Sequence, residues 1–358
     1  MRLLRNLAIA ILAIAVLVAV GVYLLLRASL PQLDGDVPLA GLAAATSIER
    51  DAAGVPTIKA QSRRDLAFAT GFAHGQDRFF QMDLMRRAAA GELAELLGAA
   101  TVDTDKRLRI HGFRSVAQQV VEQAVPADRE ILEAYVAGVN AALAKMPVRP
   151  WEYSLLRTKP RAWLAEDSVL TAFSMYLSLN DSTGAEELAR SELHESLPPE
   201  VFAFLHPLGT EWDAPVVGGT WRAPSIPSAQ IFDLRQQGAA RTAALLNPPS
   251  QLGYEEPPLV GSNSWAVAGT HAANGAALLA NDMHLGLRLP HVWYHARLVV
   301  AGGAETPRDL VGVTLPGLPI VVVGSNTHVA WGFTNSYGDW TDLRSEEHTS
   351  ELQSQNRI

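Results

Sequence analysis

Gly261-Ser262-Asn263-Ser264-Trp265 puts a hydroxyl nucleophile directly after a residue without a side chain, deep inside a chain of 358 residues. Were the Gly261–Ser262 bond to break, Ser262 would gain a free α-amine beside its own hydroxyl. Such an amine titrates near ~7.7–8.0, so one residue would hold both nucleophile and base at working pH. A serine in mid-chain has no such base. The glycine suits the cut, because without Cβ it tolerates a strained backbone and leaves its carbonyl open to attack.

The stretch also divides the chain by texture. Beyond it, Ser264 to Ala268 runs into a turn at Asn274-Gly275 and returns through Ala277 to Ala280, a hairpin pattern. Leu318 to Val323 reads as a strand bounded by Gly324-Ser325-Asn326, with Val329 to Thr334 as its hairpin partner. Before it, Leu208 to Val260 mixes Pro, Gly, Gln and Ala without period, apart from a helix around Ile231 to Leu246. Ordinary loops are much shorter, so this segment reads as a spacer.

Upstream the pattern is helical. Two strand-like runs, Ser47 to Arg50 and Val55 to Lys59, flank a turn at Asp51 to Gly54. Asp65 is expected to cap a helix carrying Phe72, Phe79, Met82 and Met85 at helical spacing. Ala88 to Leu97 continues that pattern, with Gly91 a weak point and Gly98 a stop. Asp128 opens a helix through Val139, Asp167 opens another over Val169 to Leu179, and Glu186 to Leu197 gives a fourth. Gln76-Asp77-Arg78 reads as a polar network between helices, and Phe79, Phe80 and Met82 as core.

Composition narrows the class. Apolar residues make up 48% and charged residues 18%, enough for a large core. A net charge of −8 and the lack of any long basic run argue against a nucleic-acid partner. No cysteine is present, which excludes disulfides, thiolate-bound zinc and a thiol nucleophile. His291 and His295 would share one face of a helix, as zinc ligands do, but no third ligand accompanies them.

Both ends need separate reading. Leu7 to Leu26 is an unbroken apolar run of 20 residues, preceded by Arg2 and Arg5 and closed by Arg27. That length spans a bilayer, and the leading arginines favour a cytoplasmic N-terminus. An uncleaved anchor is the expectation and a removed signal peptide the competing reading; either exports the remainder to the periplasmic side of the inner membrane. At the other end, residues 344–354 resemble a translated DNA sequencing-library adapter, which puts the authentic sequence up to about Leu343.

Taken together, the motifs resemble the penicillin acylase family of N-terminal nucleophile hydrolases, over roughly Asp34 to Leu343. They are Arg50-Asp51-Ala52-Ala53-Gly54-Val55-Pro56, Gly71 to Asp83 around Gln76-Asp77-Arg78, Gly261 to Trp265, Leu279 to Leu285, Pro316-Gly317-Leu318-Pro319 and Ala330 to Asn335. Each is weak alone; their order and spacing are specific. The resemblance implies an α+β fold, an αββα sandwich, and a precursor that cleaves itself into an α chain, an excised spacer and a β chain. The expected segments are an anchor at 1–30, a helical α-chain region at 31–207, the spacer at 208–261, the start of the β chain at 262–343 and a non-native tail at 344–358.

The same resemblance implies the site. Ser262 attacks an amide carbonyl while its own amine takes the proton. The Ala330 backbone N–H would be one oxyanion donor and an asparagine side chain beyond residue 343 the other. His284 would tune the amine, and Asn263 would orient it. Met175, Leu179, Leu285 and Leu318 would wall an acyl pocket, although each reads equally as plain core. Leu179 and Ser178 stand where an aromatic and an arginine are found in some members, which leaves aliphatic acyl groups open. Glu187, Asp339, Thr341 and Asp342 would bind one calcium ion (Ca2+), whose preference for hard oxygen ligands they match. The implied substrate is the linear amide of an N-acylated small molecule. The rivals are an N-acyl-homoserine lactone acylase, and an inert fragment or exported binding protein.

Overall fold

The computed structural model describes residues 1–180, 184–213, 217–218, 221–233, 261–302, 306–336, 338 and 340–341. Ten helices and eight strands follow one another among them. They are α1 (Arg2–Ala28), β1 (Ser47–Arg50), β2 (Pro56–Ala60), α2 (Arg63–Ala90), α3 (Ala94–Leu97), α4 (Val102–Arg109), α5 (Phe113–Gln123), α6 (Pro126–Lys145), α7 (Trp151–Leu155), α8 (Ala165–Leu179), α9 (Ala185–Ser196), α10 (Pro199–Leu205), β3 (Gly261–Val267), β4 (Leu278–His284), β5 (Tyr294–Val300), β6 (Arg308–Thr314), β7 (Val321–Ser325) and β8 (Ala330–Trp331). The chain divides into two units, residues 1–179 with 260–336, and residues 180–259 with 337–358. In the second unit α9 and α10 pack together. The expected spacer helix around Ile231 to Leu246 falls mostly, and the tail entirely, outside the described residues.

The first unit is α+β. Its axis is α2, which is buried on two sides at once, so its sequence shows no clean amphipathic stripe. One side meets α6 through Phe68, Phe79, Met82, Tyr135 and Val139, with Tyr153 and Trp163 completing the cluster. The two helices touch backbone to backbone. A Cβ on Gly71 would stand 2.1 Å from the Tyr135 carbonyl oxygen, and one on Gly138 would stand 1.9 Å from that of Phe68. The other side of α2 lies on the sheet, where Leu66, Ala69 and Ala73 meet Ile58, Ala60, Tyr294, Ala296, Leu298 and Val300.

The helix boundaries refine the sequence expectations. Ser62 rather than Asp65 caps α2, its Oγ accepting the Asp65 N–H at 3.1 Å. Asp65 instead accepts the backbone N–H groups of Ala43 and Ala44 at 3.0 and 3.2 Å, pinning the preceding loop to the helix. Gly91, at φ 66, ends α2, where a side chain would be strained, so the expected continuation reduces to the four residues of α3. Pro126, two residues before Asp128, starts α6. Asp167 lies in the first turn of α8 and accepts the Leu164 N–H at 2.9 Å.

A charged cluster lies buried between α2 and its neighbours. Asp83 accepts from Arg86 Nε at 2.7 Å, Arg87 Nε at 3.0 Å and the Tyr153 hydroxyl at 2.6 Å. Arg86 also pairs with Asp167, which takes Arg114 Nη1 at 2.8 Å. Asp83, Arg86 and Asp167 are fully buried, so every charge here depends on its partner. Burial alone would raise the Glu92 carboxyl, but hydrogen bonds from Arg114 and Arg161 outweigh it and hold Glu92 below its ordinary range.

Strand order in the main sheet is β1-β2-β5-β6-β7-β8, with β2 and β5 parallel and all other pairs antiparallel. Strands β3 and β4 form a separate two-stranded sheet. Of the expected αββα layers, the described residues of this unit therefore show a helical layer and two sheets. Asp77 joins strand rather than helix neighbours, accepting Arg50 Nη2 at 3.0 Å and the Tyr294 hydroxyl at 2.7 Å. The Gln76–Arg78 network is thus helix-to-sheet. His295 stands exposed on β5, and His291 precedes that strand, so the two imidazoles share no helical face.

His74 is fully buried where α2, α6 and the sheet meet. Its Nδ1 lies 2.8 Å from the Tyr135 hydroxyl and its Nε2 lies 2.9 Å from Thr314 Oγ1. Thr314 spends its proton on the Tyr294 carbonyl at 3.0 Å, so it must accept from Nε2–H. The Tyr135 hydroxyl accepts the Gly317 N–H at 2.8 Å and donates to Nδ1. This wiring defines a neutral Nε2–H tautomer. Burial, helped by Arg78, pushes the imidazole down to about 3.

Candidate active site

The hairpin expected after Gly261 is present, and its register sorts the residues around Ser262. Gly261 pairs with His284, Ser262 with Met283, Asn263 with Asp282 and Ser264 with Asn281. Successive side chains alternate between faces, and directly paired residues share one. His284, Asp282, Asn263 and the Gly261 backbone therefore occupy one face. Ser262, Ser264, Asn281 and Met283 occupy the other.

On the first face, His284 Nε2 lies 2.9 Å from Asp282 Oδ2. A carboxylate only accepts, so Nε2 carries a proton. The hydrogen bond from His284 holds the Asp282 carboxyl below its ordinary range. Asn263 Nδ2 rests against both, 3.2 Å from His284 Nε2 and 3.5 Å from Asp282 Oδ2. Nδ1 faces Gly261: a Cβ built there would lie 3.3 Å from it. His284 thus lies beside the Gly261 Cα, on the face opposite the Ser262 side chain.

On the second face, the Ser262 hydroxyl accepts the backbone N–H of Asn335 at 3.1 Å. Asn335 rather than Ala330 meets this hydroxyl, and Ala330 pairs with Ser325 in the main sheet. The reason is local. Strand β8 stops after two residues, and the chain beyond Trp331 leaves the sheet and crosses Ser262. Asn335 also donates its Nδ2 to the Leu179 carbonyl at 2.9 Å, which ties the end of α8 to this segment. Asn281 Nδ2 donates to the Asn263 carbonyl at 2.7 Å. Sequence motifs contained both asparagines without assigning either a role.

The four proposed pocket residues divide. Met175, Leu285 and Leu318 gather around buried Met85, Val292 and Leu315, with Trp293 and Val322 beside them. Leu285 directly follows His284, so this apolar cluster begins at the end of the hairpin. Leu179 is not among them and meets the site through its carbonyl oxygen.

The expected calcium ligands are described only in part. Asp339 and Asp342 lie outside the described residues. Glu187 and Thr341 belong to the second unit, where Glu187 pairs with Arg190 at 3.5 Å. Among the described residues no group of three or more His, Asp or Glu side chains could hold a metal ion.

A glycine–serine strand, a backbone donor on the serine hydroxyl and an apolar cluster thus come together in the first unit. The chain belongs to the penicillin amidase family, whose sequence model matches residues 45–357. It is similar to the acyl-homoserine lactone acylase QuiP of Pseudomonas aeruginosa, 33% identical over 322 residues that cover 89% of this chain and 36% of that protein. It is also similar to the penicillin acylase 2 proenzyme of a Pseudomonas species, 32% identical over 90% of this chain and 40% of that protein. A solved structure of thermostable penicillin G acylase from Alcaligenes faecalis, 26% identical, aligns with a TM-score of 0.42 over 49% of this chain and 98% of that one. The chain thus spans between a third and two fifths of the length of these two curated relatives.

Proposed function

We propose that the chain is the precursor of a hydrolase acting on the linear amide bond of N-acylated small molecules, matured by cleavage between Gly261 and Ser262. The observation that carries this reading is the Asn335 N–H held 3.1 Å from the Ser262 hydroxyl, directly after a glycine. In the uncut chain the Ser262 oxygen would attack the Gly261 carbonyl, and the Asn335 N–H, which rests on the attacking oxygen, would turn to the carbonyl oxygen on which charge develops. His284, beside Gly261, would assist proton transfer at the Gly261–Ser262 bond. That C–N bond then breaks, its nitrogen takes the hydroxyl proton and Gly261 is left as an ester on Ser262 Oγ. Water hydrolyses that ester, which frees the Gly261 carboxylate and leaves Ser262 with a free amine and its hydroxyl.

In the matured protein that amine takes the hydroxyl proton while Oγ bonds to the substrate's amide carbon. The C–N bond breaks, the leaving amine takes up the proton, and an acyl ester remains on Ser262. Water then adds, releases the acid and returns the proton to Ser262. Asn335 would serve as an oxyanion donor throughout. Removing one such donor in other hydrolases costs roughly 10²–10³-fold in turnover.

The cluster of Met175, Leu285 and Leu318 would take the acyl group, and its aliphatic lining suits an unbranched chain. Acyl-homoserine lactones present such a chain on a linear amide, and this second reading draws support from the relative that bears that name. A panel of amides that varies the acyl chain and the amine separates them. Calcium would be held by Glu187, Asp339, Thr341 and Asp342 in a structural role, outside the reaction steps. Metal analysis of the purified protein tests this, with one bound ion expected.

Helix α1 runs for 27 residues, none of them buried, and is long and apolar enough to cross a membrane. As an anchor or a signal it would place Ser262 on the periplasmic side. The deciding experiment is intact-mass measurement of the expressed protein. A β-chain N-terminus at Ser262 is expected, and an uncut, folded chain would favour an exported binding protein.

A further inference from the structure

Asn281 sits in β4 opposite Ser264, on the face that carries the Ser262 hydroxyl. Every hydrogen-bonding group of its amide is engaged. Nδ2 donates to the Asn263 carbonyl at 2.7 Å and to the Phe333 carbonyl at 3.0 Å, while Oδ1 accepts the Phe333 N–H at 3.3 Å. Two donors and one carbonyl, all in use, fix which way the amide faces. Among the described residues, Asn281 is the hydrogen-bond partner of both backbone groups of Phe333. The side chain does for Phe333 what a neighbouring strand does for a strand residue.

The contact leaves no room beside it. A Cβ on Gly332 would stand 2.8 Å from the Asn281 Cβ and 2.9 Å from its Cγ. Two residues past Phe333, the Asn335 N–H meets Ser262 Oγ, and Asn335 Nδ2 reaches the Leu179 carbonyl. The segment that delivers the donor is therefore held at Phe333 by Asn281 and at Asn335 by α8.

We propose that Asn281 is a positioning residue: its side-chain amide clamps the Gly332–Asn335 segment to the nucleophile strand, so that the Asn335 N–H stays aimed at the Ser262 hydroxyl. The inference rests on Ser262 being the nucleophile. Asn281 need not touch substrate; it acts through the peptide it holds. A donor displaced by about 1 Å is enough to lose about 10²-fold in rate.

The test compares Asn281→Ala and Gly332→Ala in the full chain. The first removes the clamp, and the second pushes the segment off it while leaving Asn281 intact. Amide hydrogen exchange at Asn335 is read by NMR, with Leu298 and Val300 in β5 as internal controls for the fold. Both variants should raise Asn335 exchange at least about tenfold with the β5 amides unchanged. With an amide substrate, kcat should fall about 10²-fold and KM should stay within about threefold. Asn281→Asp should behave like Asn281→Ala or worse, because carboxylate oxygens would face two carbonyl oxygens. Unchanged Asn335 exchange in a folded Asn281→Ala protein overturns the clamp, as does a loss confined to KM. A wild-type chain that never exposes Ser262 as an N-terminus overturns the nucleophile reading, and the exchange comparison still decides whether Asn281 holds Asn335.

Discussion

Acidification should destabilise this protein through His74 in a way that a single substitution removes. The imidazole is fully buried, wired as a neutral donor to Thr314 and acceptor from Tyr135, and pushed down to about 3. In the unfolded chain it titrates near ~6.5. The folded value is the depressed one, so the unfolded state binds the extra proton. Stability from this group is therefore complete above about pH 6.5 and drains away as pH falls towards 3. Each unit in that window corresponds to about 1.4 kcal/mol, so lowering pH from 7 to 5 should remove roughly 2 kcal/mol through His74 alone. Carboxylates titrate as well, but they are shared by wild type and variant and cancel in the difference. His74→Gln keeps a donor towards Thr314 and cannot be protonated. At pH 7 it should cost about 1–3 kcal/mol, because the Tyr135 hydroxyl loses its acceptor. Urea unfolding of both proteins at pH 7 and pH 5 measures the effect. Wild type should lose about 2 kcal/mol more than His74→Gln across that interval. Parallel losses would refute the reasoning, since they would mean that His74 is accessible to protons in the folded state.

Three further outcomes follow from the packing. Asp83→Ala should cost about 3–5 kcal/mol, because it removes the buried carboxylate that Arg86, Arg87 and the Tyr153 hydroxyl share and leaves Asp167 and Glu95 as the remaining acidic partners of the two arginines; denaturant unfolding at neutral pH checks this. Gly71→Ala should destabilise by about 1–3 kcal/mol despite the better helix propensity of alanine, since its Cβ has only 2.1 Å to the Tyr135 carbonyl, and a lower Tm reports it. Met175→Phe should shift preference towards shorter acyl chains by roughly 10-fold in kcat/KM per excluded methylene, measured over a homologous series of N-acyl amides.

Local patterns carried much of the fold. Strands β1 and β2 and the hairpin turn at Asn274-Gly275 follow turn chemistry written within a few residues, and the ends of α8 and α9 match apolar periodicity to within a residue or two. The cap of α2 was misassigned because Ser62 and Asp65 are both good cap residues, and only the fold shows Asp65 turned towards Ala43 and Ala44. Strand β5 carries only a short period-two signal, Tyr294-His295-Ala296-Arg297-Leu298, which the apolar run Leu298-Val299-Val300 then blurs. The site divides in the same way. Ser262, His284 and Asn263 lie in one hairpin and were visible as motifs. Asn335 meets Ser262 across 73 residues, and Asn281 meets Phe333 across 52. No spacing rule encodes such contacts; they depend on where β8 ends and the chain turns back.

Expression of the chain beside a Ser262→Ala variant, followed by intact mass and N-terminal analysis of both, bears most directly on the central claim. The parent should yield a fragment whose N-terminus is Ser262, and the variant should keep the Gly261–Ser262 bond intact. Cleavage of the variant at the same bond, or a folded parent that stays whole, would contradict the claim.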